Sequence, residues 1–348
     1  MNIIYIKLFN SSFIRVDEEI LKENYNLKTI LLNPKTPISF FFSIIKLLCL
    51  LIYNFFWADV YFTRFADYHA SVLTLFSKIS RTKVAIVIGG FDVASIPSLK
   101  YGAHVKKYRS KLVKYALKHA DLLLPNTEAL IKYDNKFTGK SIKGGITHFV
   151  PNPNAEMKVV YNGFDIDFWE RKTDIKKEMI AITVASISNM RTFKLKGIDT
   201  FIEVAKLLPE YNFIIVGMSN DFVKTHNIEL PKNLINIGFL KQPDLIDYYL
   251  KSKVFCLFSI SEGMPNVLCE AMLCNCIPVG SQVASIPETI GDSGIVLKEQ
   301  NIEEIANQLK KAFSLDDDFN QKARKRVVEN YSLTRRKKDL VNAINDLN

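Results

Sequence analysis

Short β-rich apolar runs alternate with helix-length patterns along this chain, and that alternation constrains the fold more than any other feature. Strands separated by helices cannot pair as hairpins. Each helix returns the chain to the start of a new parallel strand, so the pattern specifies an α/β fold with parallel sheets. Residues 2–9, 28–33, 59–64, 83–88, 121–125 and 157–161 read as strands of a first half, and 134–156, rich in Gly, Lys, Asn and Pro, as a loop. The alternation restarts at 179–185 and continues at 212–216, 234–237, 254–259, 277–280 and 294–297. Helices are expected at about 197–208, 243–251, 265–274 and 301–313, and along a charged stretch from about 319 to 348. Asp165 to Lys177, polar and charged, separates the halves. The expectation is two Rossmann-like domains, 1–165 and 166–330, their parallel sheets facing across a cleft, with the last helix, about 330–348, packing back on the first. A chain of 348 residues can give each its own core.

With 48% apolar and 24% charged residues, the chain is neither disordered nor collagen-like. Its net charge of +10 fits an anionic partner: nucleic acid, membrane lipid or a phosphorylated substrate. Of the five cysteines the last four, Cys256, Cys269, Cys274 and Cys276, fall in one apolar stretch without zinc spacing and read as buried thiols of a reducing compartment. Met1 leads straight into a strand, so a cytoplasmic protein without a cleavable signal is expected. Ile38 to Trp57 carries one charge, Lys46, and its length could span a bilayer. Strands before and after it must share one sheet, which a spanning helix forbids, so a helix buried between strands is expected. It is apolar on every face, more than covering a sheet requires, and part of it is expected to touch lipid. In the stretch Lys100 to His119, Lys107, Lys111, Lys114 and Lys118 share one helical face, with Val105, Tyr108, Leu112, Tyr115 and Ala116 on the opposite one. That pattern suits either an anionic membrane surface or a solvated face.

The stretch Ser259 to Met272 (SISEGMPNVLCEAM) holds the most chemistry. A strand ends in a loop with Glu262 and Gly263, and Pro265 suits the first turn of a helix. The unpaired N–H groups of such a helix start bind phosphate, and Gly263 allows close approach. Glu270, one turn into the helix, could accept hydrogen bonds from the two adjacent hydroxyls of a ribose. Either glutamate alone would read as an ordinary loop or helix residue.

Together these residues resemble the retaining glycosyltransferases of family 4 (group 1), which have the GT-B fold. Their hallmark is Glu, seven residues, Glu, in a Ser-x-x-Glu-Gly…Glu-Ala-Met context. Flanking segments agree in order: Val160 to Asp165 (VYNGFD), Lys196 to Asp199 (KGID), Ile286 to Ile290 (IPETI) and Asp292 to Gly294 (DSG). The resemblance covers roughly residues 120–300 and is architectural over 1–80. It implies that Glu270 binds the ribose of a nucleotide-sugar donor and that Glu262 contacts the donor sugar and phosphate. Gly263, Met264, Pro265, Asn266 and Asn162 would line the donor, and Lys196 would neutralise the departing diphosphate, where a fixed cation lowers the barrier.

Three departures stand out. The family's usual Gly-Arg-Leu position reads Ala185-Ser186-Ile187, leaving Arg191 as a substitute. The usual His after the fourth strand is replaced by Gly89-Gly90-Phe91-Asp92, where Gly90 allows close approach and Asp92 either accepts a sugar hydroxyl or caps a turn. The glycine-rich turn after the first strand is Asn10-Ser11-Ser12-Phe13. Asp165-Ile-Asp167 and Asp316 to Asp318 look like the metal motif of another glycosyltransferase fold but sit at a linker and a helix start, so no metal or other cofactor is expected. The reading is a metal-independent transferase that retains configuration and acts on a glycan or lipid-linked acceptor, in surface polysaccharide or glycolipid synthesis, on the inner face of the cell membrane. The alternatives are a non-catalytic GT-B partner subunit, a sugar-nucleotide epimerase, and, on charge alone, a nucleic-acid binder.

Overall fold

The computed structural model describes residues 1–34, 36–170 and 175–347, so residues 171–174 of the polar linker lie outside the described residues. The chain forms two compact units: Met1–Tyr133, Lys143–Gly163 and Thr334–Asn348 make the first, Asp134–Ile142 and Phe164–Leu333 the second.

In chain order the first half holds β1 (Asn2–Lys7), α1 (Ser12–Asn24), β2 (Asn26–Leu31), α2 (Pro37–Tyr53), β3 (Val60–Arg64), α3 (Tyr68–Ser80), β4 (Lys83–Ile88), α4 (Lys107–His119), β5 (Leu122–Pro125), β6 (Tyr133–Asn135), β7 (Ile142–Gly144), α5 (Ile146–Phe149) and β8 (Glu156–Met157). The rest holds β9 (Glu178–Ile187), α6 (Met190–Leu195), α7 (Ile198–Leu207), β10 (Asn212–Met218), α8 (Asn220–Thr225), β11 (Leu234–Ile237), α9 (Gln242–Lys251), β12 (Ser252–Leu257), α10 (Asn266–Leu273), β13 (Ile277–Ser281), α11 (Ile286–Ile290), β14 (Ile295–Leu297), α12 (Ile302–Ser314), α13 (Asp317–Asn330) and α14 (Leu333–Asn345).

Each unit is built on a parallel sheet: β2-β1-β3-β4-β5-β8 in the first and β11-β10-β9-β12-β13-β14 in the second. Helices cover both faces, so strands are buried on both sides: every residue of β3 and every residue of β4 after Lys83 is buried. The strand order reverses between β1 and β3 in the first unit and between β9 and β12 in the second. At such a reversal the loops after two adjacent strands diverge and leave a crevice at the carboxyl edge.

Residues 134–156 are more than a loop. They contain the β6–β7 hairpin and α5, and the hairpin tip belongs to the second unit, where Asn135 Oδ1 accepts from Ala284 N at 2.9 Å and Phe137 O from Gln300 N at 2.8 Å. The strand expected over 157–161 shrinks to β8.

In the first unit, β2→β3, β3→β4 and β4→β5 all advance in one direction, so right-handed crossovers put α2, α3 and α4 on one sheet face. Accordingly α3 packs against both α2 and α4. Thr36 and Ser39 cap α2 reciprocally: Thr36 Oγ1 accepts from Ser39 N at 3.1 Å and Ser39 Oγ from Thr36 N at 2.8 Å. α2 connects two strands of one sheet, and among the described residues no helix is long and apolar enough to cross a membrane. It is nevertheless not enclosed, since Phe41 and Phe42 are each 62% exposed. On α4 the four lysines are exposed, but the opposite face is corrected: Val113, Ala116 and Leu117 are buried, whereas Tyr108 and Leu112 face outward. The buried stripe is rotated from the expected one because Val113 and Leu117 lie one turn apart facing the sheet.

α14 is tied to α1 in the first unit through a buried ion cluster. Asp17 is fully buried; its Oδ2 accepts from Arg64 Nε at 2.5 Å and its Oδ1 from Arg336 Nε at 2.8 Å and Nη2 at 2.5 Å. Arg336 Nη1 also donates to the carbonyls of Val160 and Tyr161 at 3.1 and 2.6 Å. Burial alone would raise the Asp17 pKa, but the adjacent Arg336 and Arg64 charges outweigh it and hold the carboxyl below its ordinary range. A lowered carboxyl pKa stabilises the fold above the unfolded-state pKa of about 3.9 and loses that stabilisation as pH falls through the folded value. Asp17→Asn leaves two buried guanidinium groups without their anion and is expected to cost about 3–5 kcal/mol in urea denaturation at neutral pH, a difference that shrinks in acid.

Candidate functional site

The reversal between β9 and β12 is where the second unit assembles polar side chains. After β9, Asn189 caps α6, its Oδ1 accepting from Thr192 N at 2.9 Å. α6 ends at Lys196, and Gly197 follows with φ +64°. A Cβ on Gly197 would lie 2.2 Å from the Phe258 carbonyl oxygen, so only glycine lets this loop press against the end of β12. Ile260 N donates to Leu195 O at 2.8 Å and closes the contact. Lys196 Nζ therefore reaches Glu262 Oε1 at 2.6 Å, across 66 residues of sequence. Ser259 Oγ donates to the same oxygen at 2.7 Å, and Ser281 Oγ at the end of β13 donates to Ser259 O at 2.6 Å. The pair is partly buried, 28% exposed at Lys196 and 10% at Glu262.

Gly263 and Met264 lead into Pro265, the N-cap of α10, whose carbonyl accepts from Leu268 N at 3.1 Å. Met264 and Pro265 are buried, and Gly263 and Asn266 are partly exposed. Glu270, one turn into α10, is 5% exposed. Its Oε1 accepts from Gln242 Nε2 at 2.9 Å, and burial raises its pKa to about 7. Gln242 opens α9 just after β11 and so stands at the same carboxyl edge. Sequence reasoning missed Gln242, because a glutamine before a proline at a helix start carries no signal until β11 and β12 share a sheet. Arg191 lies on α6, exposed.

The remaining expected donor residues belong to the first unit and are engaged there. Gly90 takes φ +113° after β4. Asp92 is 1% exposed; its Oδ1 accepts from Gly90 N at 2.8 Å and Gly89 N at 3.2 Å, and its Oδ2 from Ala66 N at 3.1 Å. Burial raises its pKa to about 6. The carboxylate ties the loops around it together, the turn-capping contact that the sequence also allowed. Asn162 is also buried, and its Oδ1 accepts from Arg64 Nη2 at 2.9 Å, extending the Asp17 cluster.

Asp165 Oδ1 accepts from the N–H groups of Asp167 and Phe168, both at 3.2 Å, which closes a turn. Among the described residues no three His, Cys, Asp or Glu side chains converge as metal ligands. Because Gly197 sets the Lys196 loop, Gly197→Ala is expected to cost about 1–3 kcal/mol in thermal unfolding and to displace Lys196 from Glu262.

Known proteins agree with this architecture. Residues 165–331 match the family described as glycosyl transferases group 1. The N-acetyl-alpha-D-glucosaminyl L-malate synthase of Bacillus anthracis is 25% identical over 296 residues, covering 78% of this chain and 71% of that protein. A Campylobacter jejuni N-acetylgalactosaminyltransferase, named for a diphospho-undecaprenol-linked acceptor, is 24% identical over 268 residues, 73% of this chain and 66% of its own length. The crystal structure of HepE from Anabaena, in complex with UDP and glucose, superposes with a TM-score of 0.73 at 16% identity, covering 99% of this chain and 100% of that one. The chain is a glycosyltransferase of GT-B fold, and its second unit carries the group 1 family's domain.

Proposed function

We propose that the chain transfers a sugar, with retention of configuration and without a metal ion, from a nucleotide-sugar donor at the carboxyl edge of the second unit to a glycan or lipid-linked acceptor, in surface polysaccharide or glycolipid synthesis. The observation that carries this reading is the Lys196–Glu262 pair at the strand-order reversal, followed directly by the start of α10 and the buried Glu270. Glu270 accepts the two ribose hydroxyls, with Gln242 occupying part of one oxygen and fixing its orientation. The diphosphate lies at the start of α10, along Gly263 to Asn266, beside Lys196. Glu262 Oε1 is held by Lys196 and Ser259, which presents Oε2 to a donor-sugar hydroxyl. Arg191 supplies a second cation toward the diphosphate.

In the reaction the acceptor oxygen bonds to the sugar's anomeric carbon on the face from which the phosphate departs. The carbon–oxygen bond to phosphate breaks, and the leaving phosphate takes the acceptor proton. Negative charge then grows on the diphosphate, where Lys196 and the helix N–H groups are already fixed, so no metal is required to neutralise it. The names of the Bacillus anthracis and Campylobacter jejuni relatives support an amino-sugar donor, and the UDP in the HepE structure supports a uridine base. The exposed lysines of α4, Lys107, Lys111, Lys114 and Lys118, suit work beside an anionic membrane surface carrying the acceptor.

Calorimetric titration with UDP, GDP and ADP sugars in EDTA tests this. One base series should bind without metal. Glu270→Ala should weaken nucleoside mono- and diphosphate alike, whereas Lys196→Ala should weaken the diphosphate selectively, by about tenfold or more. Absence of binding by every sugar nucleotide, or binding that requires a divalent ion, would refute it. A pH series gives a second check. A sugar nucleotide does not itself titrate near neutrality, so its affinity should fall as Glu270 protonates below about pH 7, approaching tenfold per pH unit, and Glu270→Gln should flatten the profile. The unliganded protein should run the other way: a raised carboxyl pKa stabilises the fold below the unfolded value and loses that contribution as pH rises through about 7.

A further inference from the structure

The largest unexplained feature lies on the first unit. α2 turns only a narrow stripe, Ser43, Leu47, Leu51 and, just past its end, Asn54, into the fold. The rest of its surface is apolar and open: Phe41 and Phe42 are each 62% exposed, Ile45 42%, Ile52 64%, and Phe56 beyond the helix 98%. The neighbouring α3 adds Leu75 at 60% and Ile79 at 70%. Soluble monomers rarely leave a contiguous apolar patch of this kind uncovered.

We propose that this α2–α3 face inserts into the outer hydrocarbon of one leaflet of an anionic bilayer, with α2 lying in the membrane plane. Length excludes spanning: 17 residues at 1.5 Å each give about 25 Å, short of a hydrocarbon core of about 30 Å. Charge selects the occupant. α2, α3 and α4 contain no Asp or Glu, while Lys46, Lys78 and the four α4 lysines are exposed around the apolar strip. A second copy docked on the same face would oppose lysine to lysine, whereas anionic headgroups complement the rim and acyl chains the strip. Insertion goes beyond electrostatic adsorption by the α4 lysines, and it does not depend on the sugar-transfer reading.

Flotation of the full chain with neutral phosphatidylcholine vesicles, and with vesicles containing phosphatidylglycerol, separates the contributions. The protein should float with anionic vesicles at low salt, and a substantial fraction should stay bound in about 0.5 M NaCl, where headgroup attraction is screened but apolar burial is not. The combined Phe41→Ser, Phe42→Ser and Ile45→Ser variant should lose the salt-resistant fraction, with binding weakened about tenfold or more. Replacing the four α4 lysines by glutamine should weaken the preference for anionic lipid and leave the salt-resistant fraction in place. Should the serine variant unfold, Phe42→Trp carries the test: its emission should shift blue with vesicles and be quenched by brominated lipid. No vesicle binding, serine-variant binding equal to wild type, an unshifted Trp, or a concentration-dependent dimer abolished by the serine variant would each overturn the proposal.

Discussion

In a parallel sheet every strand ends at the same edge, and the geometry of the second unit follows from that constraint. Right-handed crossovers bring the loops after β9, β11, β12 and β13 to one rim even though they span residues 188–285 in sequence. Where the strand order reverses, the loops after β9 and β12 are neighbours with no helix between them. Lys196 and Glu262 meet there because Gly197 removes the side chain that would hold the two loops apart.

The electrostatics of the resting protein follow the same economy of charge. Lys196 is compensated by Glu262, and Glu262 shares its oxygen with Ser259, so neither ion is stranded as the loops close on each other. Glu270 is buried, and burial lifts its pKa to about 7 against the opposing effect of the Gln242 hydrogen bond. The first unit handles charge differently. Asp17 sits between Arg64 and Arg336, and the cluster joins α1, the end of β3, the end of the first half at Asn162, and α14. Glu270 has an amide where Asp17 has two guanidinium groups, so burial raises the pKa of the first while the ion pairs lower that of the second.

Much of this was legible in the sequence because strands buried on both faces read as continuous apolar runs, and the alternation of KVAIVI or VFCLFS with helical stretches has few other solutions. Glu262, Glu270 and Lys196 stand out in the sequence because they lie in short motifs that follow apolar strand runs. Elements of three residues, such as β6 and β7, do not, since periodicity needs more length than they have. Asp92 and Asn162 show the limit for side chains: sequence places them in loops after strands but says nothing of where the carboxylate or amide turns, and both turn inward. Gln242 shows the converse, a residue of no local distinction that acquires a role only through strand order.

The most direct test is a crystal structure of the protein with a nucleoside diphosphate bound. The account predicts both ribose hydroxyls within hydrogen-bond distance of Glu270, the β-phosphate beside Lys196, and the phosphate oxygens facing the first N–H groups of α10. A nucleotide bound at the carboxyl edge of the first sheet, or one whose diphosphate points away from α10 and Lys196, would contradict it.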